Sequence, residues 1–177
     1  MRLTRSSGVA AAALSAFTAL LLPVSARAQI RFQPSAGISN PTSDFGDIVD
    51  GGYHGRLGLR ADIPLFPLSF QVEGELNHFP GSTSGSANVV GGNFSVVLSL
   101  GGIGLSPYVL GGLGYYHTSF SDEFTGMSSS SDKGFHVGFG VDIGLLGFGG
   151  FVEGRYVRVS RAGTDAQWLP VSFGVRF

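Results

Sequence analysis

A chain of 177 residues with 11 basic and 12 acidic side chains is sized for one domain and carries almost no net charge. It contains no cysteine, which excludes a disulfide framework and a thiolate metal site. Its basic residues are few and scattered, which excludes the footprint of a nucleic-acid binder.

The first 28 residues form their own unit. Arg2 and Arg5 precede an almost unbroken apolar stretch over 9–24, and Ala26-Arg27-Ala28 follows with small residues flanking the arginine. That order predicts a cleavable secretory signal over 1–28 and a mature domain over 29–177. The mature part keeps 8 of the basic residues and all 12 acids, so it is mildly acidic. After the signal no run of 18 apolar residues remains, so no transmembrane helix is expected.

From residue 29 onward the pattern has period two, interrupted by clusters of Gly, Pro, Ser and Asp. A first strand is expected over 29–39, followed by a turn-rich stretch over 40–52. The second, over 53–63, sets Tyr53, Leu57, Leu59 and Ala61 against His54, Arg56, Arg60 and Asp62. Pro64-Leu65-Phe66-Pro67 makes a tight turn into the third strand, 68–79, where Leu68, Phe70, Val72 and Leu76 alternate with Gln71, Glu73, Glu75 and Asn77. A Gly/Ser-rich loop leads to the fourth strand, 88–100, with Phe94, Val96 and Leu98 opposite Asn93, Ser95 and Ser99. The fifth, 105–118, has two mixed faces, and its facing is left open. A long loop over 119–133 precedes the sixth strand, 134–145, where Phe135, Val137 and Phe139 oppose His136 and Asp142. The seventh, 148–160, places Val152 and Tyr156 opposite Glu153 and Arg155, and the eighth runs over 167–177.

These are eight strands joined by connections of alternating character: tight after the even-numbered strands, mostly longer and more polar after the odd ones. The alternation predicts an all-β, closed, antiparallel, up-and-down eight-stranded transmembrane β-barrel with short turns and both termini on the periplasmic side. Only 13% of the chain is charged, too little to clothe a soluble barrel. The few strand charges suit the inside instead, where they need partners. Arg56, Arg60, Glu73, Glu75, Asp142, Glu153 and Arg155 are the expected ionic network of the lumen. An eight-stranded barrel is just wide enough to hold side chains, so a solute channel is not expected.

The last strand carries the most specific signal. Leu169, Val171, Phe173, Val175 and Phe177 alternate strictly, and the chain stops on Phe177. This resembles the C-terminal signal read when outer-membrane barrels are inserted. Trp168 is expected to add an aromatic at the other membrane interface.

Taken with Ser35-Ala36-Gly37-Ile38-Ser39 before the Asp44-Phe45-Gly46-Asp47 loop, with the 107–115 segment from Pro107 to Tyr115, and with Phe151-Val152-Glu153-Gly154-Arg155-Tyr156, the mature chain resembles the small eight-stranded outer-membrane β-barrel superfamily. That superfamily comprises OmpA-like transmembrane domains, OmpX-like proteins and opacity-type surface proteins. The resemblance implies the outer membrane of a Gram-negative bacterium. It also implies contact with outer-membrane lipid and lipopolysaccharide, and handling by the barrel-assembly machinery. It does not select a role, because the group spans adhesins, stability factors and narrow pores.

Two constellations are candidates for chemistry. One lipid A deacylase type among outer-membrane barrels uses a His-x-Ser pair facing lipid, and His117 and Ser119 share a face with Glu123 nearby. Phe120 stands where that type carries Asn, and no acid occupies the expected downstream position, so a rim histidine is favoured and no catalytic residue is assigned. Asp44, Asp47 and Asp50 could attract a divalent cation, but they lack the spacing and terminal Glu of an EF-hand loop and read as a solvated loop face, so no metal is assigned. The expected function is a non-enzymatic structural or surface-interaction role. The external loops would contact an unidentified partner, with no cofactor and no nucleic acid. The alternatives are a narrow pore for small solutes, a lipid A-modifying hydrolase and a soluble periplasmic ligand-binding barrel.

Overall fold

Alternation of large apolar with small or polar side chains forces each strand to have one greasy face, and eight such strands bury their edges only by closing. The computed structural model shows this closure and describes residues 30–83, 85–101, 104–121, 129–145, 148–160 and 165–177. The expected signal at 1–28 and the loop acids Asp122 and Glu123 lie outside the described residues. The strands are β1 (Ile30–Thr42), β2 (Gly52–Asp62), β3 (Leu68–Pro80), β4 (Ser86–Ser99), β5 (Leu105–Phe120), β6 (Ser130–Leu145), β7 (Phe148–Val159) and β8 (Ala166–Arg176), with a 3-10 turn at Ser43–Phe45. Each pairs antiparallel with the next, and β1 pairs with β8 to close the barrel. The seam is finished by the last residue: Phe32 N–H donates to the Phe177 carbonyl at 2.8 Å, Phe177 N–H returns a bond to Phe32 at 3.1 Å, and the two rings lie 5.7 Å apart.

The strands hold 11 to 16 residues, enough to cross a bilayer at a tilt. β4 and β5 each run two residues further than the sequence pattern suggests at one end, and β1 and β6 run three and four residues further. β1 continues through Asn40, Pro41 and Thr42, which pair with Leu169, Trp168 and Gln167. β6 begins at Ser130, because Ser130 to Lys133 pair with Thr118 to Tyr115 of β5. Polar residues of low strand propensity occupy both extensions, and neighbouring strands hold them extended all the same.

The outward positions form an apolar belt. Leu113 is 70% exposed and Phe139 71% exposed, and Leu57, Leu76 and Phe173 are similarly uncovered. Such a continuous girdle is the solvent boundary of a lipid-embedded barrel, not of a soluble one. β5, whose facing the sequence leaves open, turns Val109, Leu113 and Tyr115 outward and Tyr108, Leu110 and Tyr116 inward.

Inside, the barrel has two storeys. The half beneath the long connections is apolar: Phe79, Val89, Tyr116, Val157 and Trp168 pack together, and the β1–β2 connection folds in to add Phe45 and Val49. Trp168 is 1% exposed and meets Tyr116 edge-on at 5.6 Å. This corrects its expected place in an interfacial girdle. β8 turns its odd-numbered residues outward, so Trp168 has the wrong parity for lipid and points into the lumen. The half above the short turns is polar and charged.

Glycines on inward positions make room for the interior rings. A Cβ on Gly140 would stand 2.4 Å from the Tyr108 ring and 2.8 Å from the Val152 carbonyl. A Cβ on outward-facing Gly92 would meet nothing within 4 Å. Gly140→Ala is therefore expected to destabilise the barrel by about 1–3 kcal/mol through overpacking, while Gly92→Ala is near neutral. Urea midpoints of the two variants in detergent micelles check this, and equal midpoints would contradict the packing described.

Candidate functional site

The charged storey is built from inward positions of β1, β2, β3, β6, β7 and β8. Glu153 on β7 is its hub. Its Oε1 accepts from Arg56 Nη1 at 3.0 Å and from Arg155 Nε at 2.7 Å, and its Oε2 accepts from the Tyr108 hydroxyl at 2.9 Å. Arg155 reaches across to Glu73 Oε2 at 2.6 Å, and Glu73 Oε1 also accepts from Gln33 at 3.3 Å. Glu75 accepts from the side-chain amides of Asn77 at 3.0 Å and Asn93 at 2.9 Å. Nearer the short turns, Arg60 donates to Asp62 at 3.2 Å and to Ser99 at 2.9 Å, and stands 3.6 Å from Asp142. Arg31 pairs with Asp62, and Arg176 pairs with Asp142, donates to Gln33 at 2.9 Å and lies 4.2 Å over the Phe151 ring.

Five guanidiniums and five carboxylates thus share one storey. All seven residues singled out from the sequence, Arg56, Arg60, Glu73, Glu75, Asp142, Glu153 and Arg155, lie in it. Glu153 and Arg155, which share one face of β7, do pair, but the partners of Arg56 differ from the simplest sequence pairing. Arg56 is opposite Glu75 in register, yet its ion partner is Glu153 on the far wall. Neighbouring side chains on adjacent strands point the same way into a narrow lumen, so long arginines meet acids across it more readily than beside them. Arg31, Asp62, Arg176, Tyr108, Gln33 and Ser172 join the network without having been singled out. Parity alone locates Arg176, which shares the inward face of β8 with Trp168.

Buried ions are tolerable only when paired and hydrogen-bonded. Arg60, Gln33, Gln71, His136 and Glu153 are all essentially inaccessible, so side chains occupy the cross-section. His54 bridges Ser39 at 2.9 Å and Ser172 at 2.7 Å, tying β1, β2 and β8 together. The network crosslinks opposite walls. Among the described residues, no group of three His, Asp or Glu is placed to hold a metal ion. Asp44, Asp47 and Asp50 are all exposed.

Outside the lumen, His117 faces outward near the long-connection end of β5. Its Nδ1 lies 2.8 Å from the Ser131 hydroxyl of β6, whereas Ser119 stands opposite Asn88 of β4. Glu123 is outside the described residues. On β8, Leu169, Phe173, Val175 and Phe177 are exposed on the outer face with Val171 partly covered, and Phe177 closes the seam.

A closed eight-stranded barrel with a greasy exterior and a neutralised interior defines a transmembrane barrel of the outer membrane. The chain belongs to the outer membrane protein beta-barrel domain family, whose model matches residues 9–177. Among solved structures it is similar to Neisserial surface protein A, with 18% identity, a TM-score of 0.66, and 83% of this chain and 95% of that one covered. It is also similar to Ail, the attachment invasion locus protein of Yersinia pestis, with 16% identity, a TM-score of 0.58, and 85% and 99% covered. The outer membrane enzyme PagL matches at 17% identity and a TM-score of 0.56, with 81% and 97% covered. At these identities the likeness is one of fold. No curated protein matches the chain in sequence.

Removing one member of the network leaves its partners buried and uncompensated. Arg155→Met is expected to cost about 3–5 kcal/mol, because Glu73 and Glu153 both lose it. Adding Glu73→Gln should recover part of that loss. A double variant no more stable than the single one in urea titration would show that the Arg155–Glu73 contact contributes nothing.

Proposed function

We propose that this protein is a sealed outer-membrane barrel that acts through its external surface, as a structural or surface-interaction protein whose long connections are the contact region. The observation that carries this is the filled interior. One storey is crosslinked by ions, and the other is packed with Trp168, Tyr116 and Phe79 under Phe45 and Val49. With the lumen occupied, the loops and the outer rim are what remains available to a partner. The same reading takes residues 1–28 as a signal removed before insertion, places both termini in the periplasm, and assigns Leu169, Val171, Phe173, Val175 and Phe177 to recognition by the assembly machinery.

In planar bilayers the purified mature chain is expected to show no stepwise conductance. Reproducible ion steps would favour the narrow pore. Replacing residues 122–128 with a Gly-Ser segment of equal length should leave the heat-modifiable band of the folded barrel intact. It should also reduce retention of expressing cells on protein-coated surfaces. Unchanged retention would count against contact through that loop.

A second reading, an outer-leaflet hydrolase, draws on the 2.8 Å contact between His117 Nδ1 and the Ser131 hydroxyl on the lipid-facing side, since a base beside a hydroxyl can generate a nucleophile. On this reading Ser131→Ala, and not Ser119→Ala, abolishes loss of an acyl chain from lipid A, followed by mass spectrometry. Lipid A left intact by the wild-type chain dismisses it.

A further inference from the structure

The barrel wall has a polar margin at one end only. At the long-connection end Tyr53, His78 and Asn88 form a row across β2, β3 and β4. Tyr53 is opposite His78 with the rings 5.1 Å apart, and His78 Nδ1 lies 2.7 Å from Asn88 Oδ1. Lys133 on β6 and Arg158 on β7 also face outward at that end. At the short-turn end there is no such margin among the described residues. Phe70, Leu98, Leu100, Leu105 and Phe177 carry the apolar belt to the rim. The connections there are apolar too: no residue of 63–67, 100–105 or 145–148 has a charged, amide or hydroxyl side chain.

The β2–β3 turn is the extreme case. Pro64 and Leu65 are its central residues, closed by Phe66 N–H donating to the Ile63 carbonyl at 3.3 Å. Leu65 has a φ of 69°, the left-handed conformation in which a turn with Pro before it ordinarily carries Gly or Asn. A branched side chain there strains the backbone. The strained turn holds Leu65 at its tip, 100% exposed, beside Phe66 at 66%. The backbone of the turn nevertheless asks little of water. Pro64 and Pro67 have no N–H. Ile63 N–H donates to the Leu68 carbonyl at 3.0 Å, and the Pro67 carbonyl accepts from Ser99 N–H at 2.8 Å. Within 63–67 only the Leu65 N–H is left without a backbone carbonyl. A greasy tip on a nearly satisfied backbone suits surroundings poor in water.

The reach of the chain fixes where the tip ends. From Tyr53 to Leu65, at about 3.4 Å per residue and a tilt of about 40°, the chain descends roughly 30 Å along the membrane normal. The apolar belt of such a barrel is about 25 Å tall, and a bilayer with its head groups is about 40–45 Å thick. With Tyr53 at one edge of the hydrocarbon, the tip passes the opposite edge and stops among esters and head groups, short of bulk water.

We propose that the short-turn end, led by Leu65 and Phe66, is a lipid-docking surface that inserts into the ester and upper acyl layer of the phospholipid leaflet on its side of the membrane. Continuity with the apolar belt selects lipid as the occupant, since a large exposed apolar patch is covered by something. The short reach of the turn leaves a soluble protein nothing to grip. The lack of charge fits the ester layer and not the phosphates. The proposal goes beyond the reading above and rests on it only in naming that leaflet as the periplasmic one. Contact with soluble partners then falls to the long connections alone.

The chain has no cysteine, so a single introduced one reports on one position. Leu65→Cys, Phe66→Cys and Leu100→Cys are labelled with an environment-sensitive nitrobenzoxadiazole dye, alongside Phe139→Cys in the belt and Asp47→Cys in a long connection. Each folded mature chain is reconstituted in phospholipid vesicles, and the heat-modifiable band confirms the barrel. Labels at 65, 66 and 100 are expected to emit to the blue of the label at 47. They should be quenched more by a phospholipid with a nitroxide near its glycerol than by one with the nitroxide near the chain end. The label at 139 should show the reverse order. Neither readout depends on which way the barrel faces. Labels at 65 and 66 that emit as the label at 47 does, unquenched by either lipid, would overturn the proposal and favour a soluble partner. Position 100 decides in the same way where a tip variant fails to fold. Sidedness is checked separately with Ser82→Cys and a membrane-impermeant maleimide on intact cells. Failure of that variant to label, with the depth result intact, would overturn the assigned leaflet and the topology of the reading above while leaving insertion standing.

Discussion

Everything in this molecule follows from the need to pair backbone N–H and C=O groups where no water is available. In hydrocarbon each unpaired group costs several kcal/mol, so a sheet survives there only without edges. The β1–β8 seam is thus the constraint on which the rest depends. It is zipped from Ser35 opposite Gly174 to Thr42 opposite Gln167, then finished by the reciprocal bonds of Phe32 and Phe177. The chain's last residue therefore completes the ladder, and its ring joins the apolar exterior. With eight strands, closure in turn sets the width of the lumen and the size of the side chains it can hold.

A lumen of that width must be filled, and the two storeys fill it in different ways. Ions crosslink opposite walls near the short turns, where Arg56 meets Glu153 and Arg155 meets Glu73. Buried ion pairs contribute little net stability over apolar packing, but each partner is expensive to lose. The network therefore ties opposite walls together, and the loss of any one member strands its partner in the interior. Near the long connections the filling is aromatic, and Phe45 and Val49 come from the β1–β2 connection itself. The bridge between Val49 and Gly81 ties that connection to the β3–β4 side. One long connection is thereby part of the interior packing, and its exposed acids Asp44, Asp47 and Asp50 are held on a folded base.

Much of this is legible in the sequence, because a period of two is an unambiguous signal when one face is lipid. The strand count, the alternation of tight and long connections and the inward set of seven charges all come from parity. Misreadings arise where parity is set aside. Residue type alone suggests an interfacial aromatic at Trp168, although it lies out of phase with Leu169 and Phe173. β5 is ambiguous because tyrosine is at home on either face: Tyr108 and Tyr116 enter the lumen while Tyr115 meets the boundary. Glu153 with Arg155 is legible as an i, i+2 pair on one strand face, but the pairs of Arg56 with Glu153 and Arg155 with Glu73 are not, since they join strands that are neither adjacent in sequence nor paired in the sheet. The extra residues of β1 and β6 are hidden by side chains such as those of Asn40, Pro41 and Asp132, which favour loops until a neighbouring strand holds them extended.

The distribution of charge links this architecture to its surroundings. The charged storey is neutral, five against five, so the acidic excess of residues 29–177 lies outside it. Asp44, Asp47, Asp50, Asp122, Glu123 and Asp165 all fall in the long connections or beside them. A cap of carboxylates repels an anionic lipid surface, and the repulsion acts over roughly the 8–10 Å of a Debye length. Lys133 and Arg158 stand between that cap and the apolar belt, the one level of the described outer wall where positive charge faces the membrane. The formal charge of the described outer wall is thus confined to the level of the wall next to the long connections, and the apolar belt below it is free of charge.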